Sequence, residues 1–284
     1  MQKIPKQAYK QKEKRNNLKK AQATLDLNNV APKLSIPLIL DLFNYSQRIE
    51  CGLRIESKYI TKDVEWKKTK SERLDEYFKA KISSQSVESS ELVEELILDD
   101  MQLANFHTLM KRMNLSIEQT NFSFTNTKFS GVADIVAHDK SIKSKDVMKK
   151  RVLISIKTTS NINDVDGAQG WGDDNIEEKD ELLLEAIHLK LLAKNEWGIE
   201  DIPFYFMVFS TKNHWEHKIF KVNVSQERLE RHYVNLTSAL NFLSLRMTDG
   251  WNPYPNYSVC RNCPLSIAIC SHSIDIPSVK LINL

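Results

Sequence analysis

Several short stretches of the chain alternate apolar and polar residues, and this two-residue period is typical of β-strands. The segment SIEQTNFSFTNTKFSGVADIVAHD predicts a pair of strands, with Gly131 at a turn or bulge. RVLISIKTT predicts the next strand, and the KSIKSKDVMKK before it predicts a polar hairpin loop. Two later segments, PFYFMVFST and HWEHKIFKVNV, also have β character, and the first is apolar enough for a central, buried strand.

The helical period of 3.6 residues dominates the segments around these strands. Residues 36–57 predict one or two helices, and residues 65–113 have a composition typical of helices. DELLLEAIHLKLLAKNEWG predicts a helix that ends at Gly198, and residues 225–247 predict a long amphipathic helix with Ser225 as its N-cap. The order of elements indicates an α/β fold in which helices flank a central mixed β-sheet.

The same patterns predict how the chain is divided. We expect a basic arm at residues 1–33 and a single domain at residues 34–284. Within this domain we expect a helical insert at about 58–115, a core at about 116–245 and a cysteine-rich closing segment at 251–275. Residues 1–20 contain eight Lys and Arg against a single acid, Glu13. This arm is either a solvated, disordered tail or an arm that adds salt-sensitive affinity for phosphates.

Charge and hydropathy exclude several classes of protein. The net charge is only +3, so the chain as a whole is not a polycation. No apolar run is long enough to span a membrane, and the first residues lack the apolar core of a secretory signal. We therefore expect a cytoplasmic protein with no membrane partner. The acidic, Gly-rich residues 163–181 predict a long loop beside a site.

Asp134 and Lys157 are the first candidates for chemistry. Ser155 and Lys157 share one face of their strand, and Asp134 lies on a strand that we expect to be its neighbour. An Asp near a Lys can hold a divalent metal while the lysine orients a water or stabilises charge, as phosphodiester hydrolysis requires. The alternative is that both are surface residues on ordinary strands.

Glu185 lies on the apolar stripe of the helix after the acidic loop. Leu182, Leu189 and Leu192 share this stripe, where a lone carboxylate is costly unless it has a partner. Glu185 is therefore either a site residue or a boundary residue that reaches the rim of the core. His188, one turn later, is either a further site residue or a packed or solvated histidine.

Taken together, GVADIV, VLISIKTT and EAIHL resemble the PD-(D/E)xK nuclease superfamily, in its RecB-like branch. The likeness includes the glycine three residues before Asp134, a strand ending in Lys-Thr and a following helix. It implies a restriction-endonuclease-like core and metal-dependent hydrolysis of DNA, as an exonuclease acting on ends or single strands. DNA repair or recombination, alongside a separate helicase or recombination protein, is the setting that this resemblance implies.

This chain departs from the family pattern at several positions. Ser155 stands where the strand acid is expected, and Glu185 and Leu189 stand where the helix usually carries Gln and Tyr. No histidine follows soon after Cys51, and His107 is the substitute candidate.

Two interpretations of these departures stay open. In the first, the acid has moved: Glu185 replaces it, and Asp134 and the carbonyl of Ile156 complete the ligands of Mg²⁺ or Mn²⁺. Ser155 then holds a water, and Lys157 orients the attacking water and stabilises charge. In the second, the site has lost its catalytic activity, and the protein binds DNA or a helicase partner without cutting DNA.

The four cysteines require a separate explanation. Cys51 stands alone, and the other three form a C-x2-C-x6-C motif of Cys260, Cys263 and Cys270. Four thiolates can hold a zinc ion or a [4Fe–4S] cluster, and this spacing fits neither a bacterial ferredoxin nor a zinc ribbon. It is similar to that of iron–sulfur nucleases of the AddB and CRISPR-associated adaptation type. That resemblance implies a structural [4Fe–4S] cluster that links the closing segment to the start of the domain. A zinc ion or unligated cysteines are the alternatives.

Overall fold

The computed structural model describes residues 32–46, 50–62, 70–83, 100–163, 171, 180–213, 216–252 and 263. The described residues fall into two compact units. The first draws on residues within Asp41–Glu65 and Ser238–Leu284, and the second on residues within Leu34–Leu40 and Trp66–Thr237. The division of the chain predicted from the sequence stays a prediction, and most of its basic arm lies outside the described residues.

A five-stranded sheet with the strand order β1-β2-β3-β4-β5 forms the centre of the second unit. Neighbouring strands are antiparallel except for β3 and β4, which are parallel, so the sheet is mixed as predicted. The strands are β1 (Leu115–Thr125), β2 (Ser130–Asp139), β3 (Arg151–Thr159), β4 (Phe204–Ser210) and β5 (His217–Val222). The most apolar strand, β4, is central and buried, as its sequence predicts.

Helices flank this sheet, which confirms the predicted α/β class. The helices of the described residues are α1 (Ile36–Ser46), α2 (Gly52–Ile55, continued by a π-helical turn at Glu56–Thr61), α3 (Lys70–Ile82), α4 (Asp100–Arg112), α5 (Asp180–Trp197) and α6 (Gln226–Asp249). Of these, α3, α4 and α5 pack against the sheet, and α2 belongs to the first compact unit. In the sequence, helix α5 comes between β3 and β4. Parallel strands need such a crossover connection. Within the described ranges, none of these helices has the length and apolar character that a membrane crossing needs.

Two predicted helix ends are confirmed. Gly198 follows the last residue of α5 with a φ of +68°, a left-handed conformation that glycine adopts without strain. At the start of α6, the Ser225 hydroxyl accepts a hydrogen bond from the N–H of Arg228 at 3.3 Å.

Gly131 is a correction, because it lies inside β2 and not at a turn or bulge. The turn is five residues earlier, where the side-chain oxygen of Asn126 accepts the N–H groups of Lys128 and Phe129 at 2.9 and 2.7 Å. The reason for glycine at 131 is close packing. A Cβ there would lie 2.9 Å from the terminal carbons of Leu189 and Leu192 on α5.

Helices α3 and α4 cover one face of the sheet. Phe78 and Phe106 pack there in an apolar cluster with Ile154 and Ile156 of β3. Because side chains alternate along a strand, Ser155 between these two isoleucines points to the opposite face. This alternation places Ser155 and Lys157 away from the apolar cluster.

Candidate active site

The site lies where β2 and β3 separate. The two strands pair from His138 and Arg151 to Ile135 and Ile154, and their ladder ends there. Beyond this point, the N–H of Ile156 donates to Oδ2 of Asp134 at 2.7 Å, so a side chain replaces a backbone acceptor. In an extended strand the N–H and C=O of one residue point to the same side, so the carbonyl of Ile156 also faces the opening.

Four residues selected from the sequence meet at this opening. The Ser155 hydroxyl lies 3.2 Å from Oδ2 of Asp134 and also hydrogen-bonds Oε1 of Glu185. The ammonium group of Lys157 donates to Oε2 of Glu185 at 2.6 Å. A hydroxyl has a single proton, so Ser155 donates to only one of the two carboxylates at a time. Two carboxylates, one hydroxyl and one ammonium group therefore share a small, largely buried volume.

The structure adds Lys79, which the sequence does not indicate. Its Nζ lies 3.0 Å from Oδ1 of Asp134. The residue before it, Phe78, belongs to the apolar cluster on one face of the sheet, whereas Ser155 points to the other face. Lys79 and Ser155 thus reach Asp134 from opposite sides. No sequence signal distinguishes Lys79, because KSERLDEYFKAKI has the charge pattern of an ordinary solvated helix.

Burial and charge act differently on the two carboxyl groups. Burial raises the pKa of Asp134 above its usual value, with a further increase from Glu185 that Lys79 and Lys157 only partly oppose. Burial also acts to raise the pKa of Glu185, but the Lys157 charge and the hydrogen bonds from Lys157 and Ser155 hold it below its usual value. The pKa of Lys157 is raised, because Glu185 and Asp134 together outweigh the loss of hydration. The pKa shifts of Glu185 and Lys157 therefore both favour their charged forms, as in an ion pair. The pKa shift of Asp134 favours its neutral form.

The donor atoms of this site suit a hard divalent cation. Carboxylate, hydroxyl and carbonyl oxygens are the ligands that Mg²⁺ and Mn²⁺ prefer, and Asp134, Glu185, Ser155 and Ile156 supply all three kinds. Among the described residues, no group of three or more His, Cys, Asp or Glu side chains is arranged to hold a metal. A cation here would therefore rest on two carboxylates and on neutral oxygens.

The two candidate histidines lie apart from these residues. His188 donates from Nε2 to the carbonyl of Ser130 at 3.0 Å, which leaves its Nδ1 to accept from Nε2 of His232 at 3.4 Å. Burial lowers the pKa of both rings, and with the nearby His188 it lowers that of His232 to about 4. His107 is an exposed residue of α4 whose ring contacts that of Phe106.

Two of the four cysteines belong to the described residues, and both lie in the first compact unit. Cys51 is buried and immediately precedes α2, and its N–H donates to the carboxylate of Glu50 at 2.7 Å. The same carboxylate pairs with Arg54 at 3.4 Å. Cys263 is half-buried, and the other two predicted cluster ligands, Cys260 and Cys270, lie outside the described residues.

Comparison with solved structures finds similar chains. The structure of the "Putative exonuclease" from Eubacterium rectale matches with a TM-score of 0.50 and 13% sequence identity, covering 98% of this chain and 99% of that one. A phage-related exonuclease from Haemophilus somnus 129PT matches with a TM-score of 0.40 and 9% identity, covering 79% of this chain and 99% of that one. No family model matches the sequence, and no curated protein matches it. The first of these likenesses shows a shared fold.

Proposed function

We propose that this protein is a metal-dependent nuclease that hydrolyses phosphodiester bonds of DNA, as an exonuclease on ends or single strands. The observation that carries the proposal is the convergence of Asp134, Glu185 and Lys157 around the hydroxyl of Ser155. The shared fold adds support, because the Eubacterium rectale protein bears the name of an exonuclease. Cytoplasmic location and cooperation with a separate helicase or recombination protein belong to the same proposal.

In this proposal Glu185 performs the task of the acid that the strand lacks. Ser155 carries a hydroxyl and no carboxylate, and this hydroxyl donates a hydrogen bond to the carboxylate of Glu185. A metal requires oxygen atoms at suitable distances, and the backbone segment that supplies them does not matter. The contact between Ser155 and Glu185 supports the interpretation that the carboxylate of the site is supplied by α5 and not by β3.

The residues of the chain then have distinct roles. Asp134, Glu185 and the carbonyl of Ile156 would hold Mg²⁺ or Mn²⁺, with the hydroxyl of Ser155 positioning a water beside them. When bound, the cation would supply the Lewis acidity that activates water and neutralises charge on the phosphate. Lys157, whose raised pKa keeps it an ammonium ion at neutral pH, orients the attacking water and stabilises the negative charge that develops.

Cleavage of end-labelled single- and double-stranded DNA in Mn²⁺, with protein purified without oxygen, tests the nuclease proposal. We expect Lys157→Met and Glu185→Gln each to lower the cleavage rate by about 10²-fold or more. Lys194→Met is the matched control, because it removes another lysine of an ion pair, with Glu200 at 2.6 Å, and should keep the wild-type rate. A folded wild-type protein that binds DNA and cuts none in Mn²⁺ or Mg²⁺ would contradict the proposal.

A module that binds DNA without cutting it is the second candidate. The ion pair between Lys79 and Asp134 favours it, because Lys79 and Lys157 already balance the two carboxylates. Under this alternative the wild type binds DNA and is inert, and Ser155→Glu restores cleavage by returning an acid to the strand. Under the nuclease proposal the wild type cuts before any such change.

We also propose that Cys51, Cys260, Cys263 and Cys270 hold a structural [4Fe–4S] cluster. The burial of Cys51 and its place in the same compact unit as Cys263 support this assignment. Such a cluster would close a loop of most of the chain and so stabilise the fold. Iron and sulfide analysis of anaerobically purified protein should find about four of each per chain, and Cys51→Ser should lower both. Zinc in place of iron would contradict the assignment.

A further inference from the structure

Lys79 and Lys157 neutralise different carboxylates of the site. Lys79 lies 3.0 Å from Oδ1 of Asp134, and Lys157 lies 2.6 Å from Oε2 of Glu185. The other oxygen of Asp134, Oδ2, already accepts the N–H of Ile156 and contacts the Ser155 hydroxyl. Lys79 therefore occupies the oxygen of Asp134 that the neighbouring strand leaves available.

We propose that Lys79 is a displaceable internal cation that competes with the divalent metal for Asp134. This inference rests on the proposed nuclease function. Among Asp134, Glu185, Lys79 and Lys157, two carboxylates face two ammonium groups, so a divalent cation would add two positive charges to a set of side chains with no net charge. The side chains of Lys79 and Asp134 are only 21% and 11% exposed, so solvent screens their interaction weakly. Metal binding to Asp134 therefore requires Lys79 to withdraw from Oδ1.

A DNA phosphate would change this balance, because it offers the withdrawn ammonium group a new anionic partner. DNA thus lowers the cost of moving Lys79 away from Asp134, and the affinity of the site for metal rises when DNA is bound. Linkage requires the reverse as well, so bound metal raises the affinity for DNA by the same factor. Without DNA, the site then has only a low affinity for metal.

The test measures Mn²⁺ affinity of the full chain by titration calorimetry, with free Mn²⁺ followed by electron paramagnetic resonance. We expect Lys79→Met and Lys79→Gln each to bind Mn²⁺ about tenfold more tightly than the wild type without DNA, because a positive charge has been removed beside the ligand. Lys79→Arg keeps the charge and should keep the weak affinity. Lys194→Met, which removes a lysine paired with Glu200, should also bind like the wild type.

A second arm adds a phosphorothioate single strand, which resists cleavage. This DNA should raise the Mn²⁺ affinity of the wild type by a larger factor than that of Lys79→Met, because only the wild type has an ammonium group to relocate. Circular dichroism melts confirm that each variant is folded, and the Met and Gln variants check one another.

The outcomes separate this inference from the function on which it rests. If the wild type binds Mn²⁺ and cuts DNA, but neither the Met nor the Gln variant binds more tightly, competition by Lys79 is overturned and the nuclease proposal stands. If the wild type, both variants and Asp134→Asn all bind Mn²⁺ equally poorly and none cuts, both proposals fail. Tighter binding by both variants, with wild-type affinity in Lys79→Arg, supports the competition.

Discussion

Strands β2 and β3 are paired at one end and separated at the other, and each end carries a group of charged side chains. At the paired end, Arg151 donates to both carboxylate oxygens of Glu118, from Nε at 2.8 Å, and its guanidinium lies 4.6 Å from the ring centre of Trp197. At the separated end, Asp134 and Glu185 share the hydroxyl of Ser155 and pair with two lysines. Both groups are built from ion pairs, but their carboxyl groups respond differently.

The pKa values show what this difference means. Hydrogen bonds from Arg151 lower the pKa of Glu118 and outweigh the effect of its burial. At Asp134 burial dominates, and the pKa is raised in spite of the nearby lysines. The paired end therefore holds a charge that the fold satisfies through a two-pronged guanidinium contact, which is typical of a structural ion pair. The separated end holds a carboxylate whose burial the nearby lysines only partly offset, and such a perturbed pKa is typical of a functional site.

The largest expected effect tests whether the separated end has moved its acid from strand to helix. Glu185→Gln alone should lower DNA cleavage by about 10²-fold or more, because the site loses one of its two carboxylates. Adding Ser155→Glu to that variant returns a carboxylate to β3 and should recover about tenfold or more of the lost rate. End-labelled DNA in Mn²⁺ provides the rates.

The matched comparison places the same change at the paired end. Glu118→Gln also removes a carboxylate from the sheet, but it should leave the cleavage rate within about twofold of wild type, because Glu118 contacts Arg151 and not the site. A double variant no faster than Glu185→Gln would mean that the strand position cannot serve as a ligand position.

The next effect concerns two buried histidines, His188 and His232. The unfolded chain binds a proton at His232 near its usual pKa of 6.5, whereas the folded protein binds it only near pH 4. Between these values the unfolded state holds more protons, so the free energy of unfolding falls as the pH is lowered. Each pKa unit corresponds to about 1.4 kcal/mol, so His232 contributes a loss of about 3 kcal/mol by pH 4. Burial lowers the pKa of His188 as well, which adds to this loss.

Denaturant unfolding of the wild type and of His232→Gln at several pH values measures this contribution. Gln keeps a hydrogen-bond donor for Nδ1 of His188 but does not titrate, so the variant should lose less stability between pH 6.5 and 4. Equal losses in the two proteins would show that the acid effect arises elsewhere.

The residues of the candidate site show how much of it the sequence predicts. The sequence indicates Asp134, Lys157 and Glu185, because a charged group stands out on a strand face or on an apolar helix stripe. All three meet in the structure. Lys79 could not be selected, because its role depends on a contact between elements far apart in sequence. Its own segment shows only a charged, helical pattern, and no local rule identifies which exposed-looking lysine reaches a buried carboxylate.

The fold was predictable where a local rule decides the structure. The periods of apolar residues predicted the strands, and Gly198 and Ser225 marked helix ends through their own backbone or hydroxyl. At Gly131 the prediction of a turn or bulge is wrong, because a glycine that marks a turn and a glycine that admits a neighbouring helix look the same in sequence. Long-range packing decides between the two.

A smaller change in stability distinguishes single substitutions at the two ends of the β2–β3 pair. Arg151→Met should lower the free energy of unfolding by about 2 kcal/mol, because it removes charged hydrogen bonds to Glu118, and should leave cleavage unchanged. Asp134→Asn should abolish cleavage and leave the stability equal to or above that of wild type, because the raised pKa of Asp134 means that its charge opposes folding. Thermal melts and cleavage assays on both variants give the comparison, and a large loss of stability in Asp134→Asn would contradict it.

The smallest effect tests whether the packing of α5 on β2 positions Glu185. In Gly131→Ala the new Cβ would lie 2.9 Å from the ends of two flexible side chains, Leu189 and Leu192, so we expect a cost of about 1 kcal/mol and a small shift of α5. Because Leu189 is one turn after Glu185, cleavage should fall by about twofold to fivefold. Gly198→Ala is the control, since its φ of +68° predicts a similar loss of stability, and among the described residues no side chain away from the local backbone lies within 4 Å of the new Cβ. If both variants lower cleavage equally, lost stability explains the effect, and the contact at Gly131 does not position Glu185.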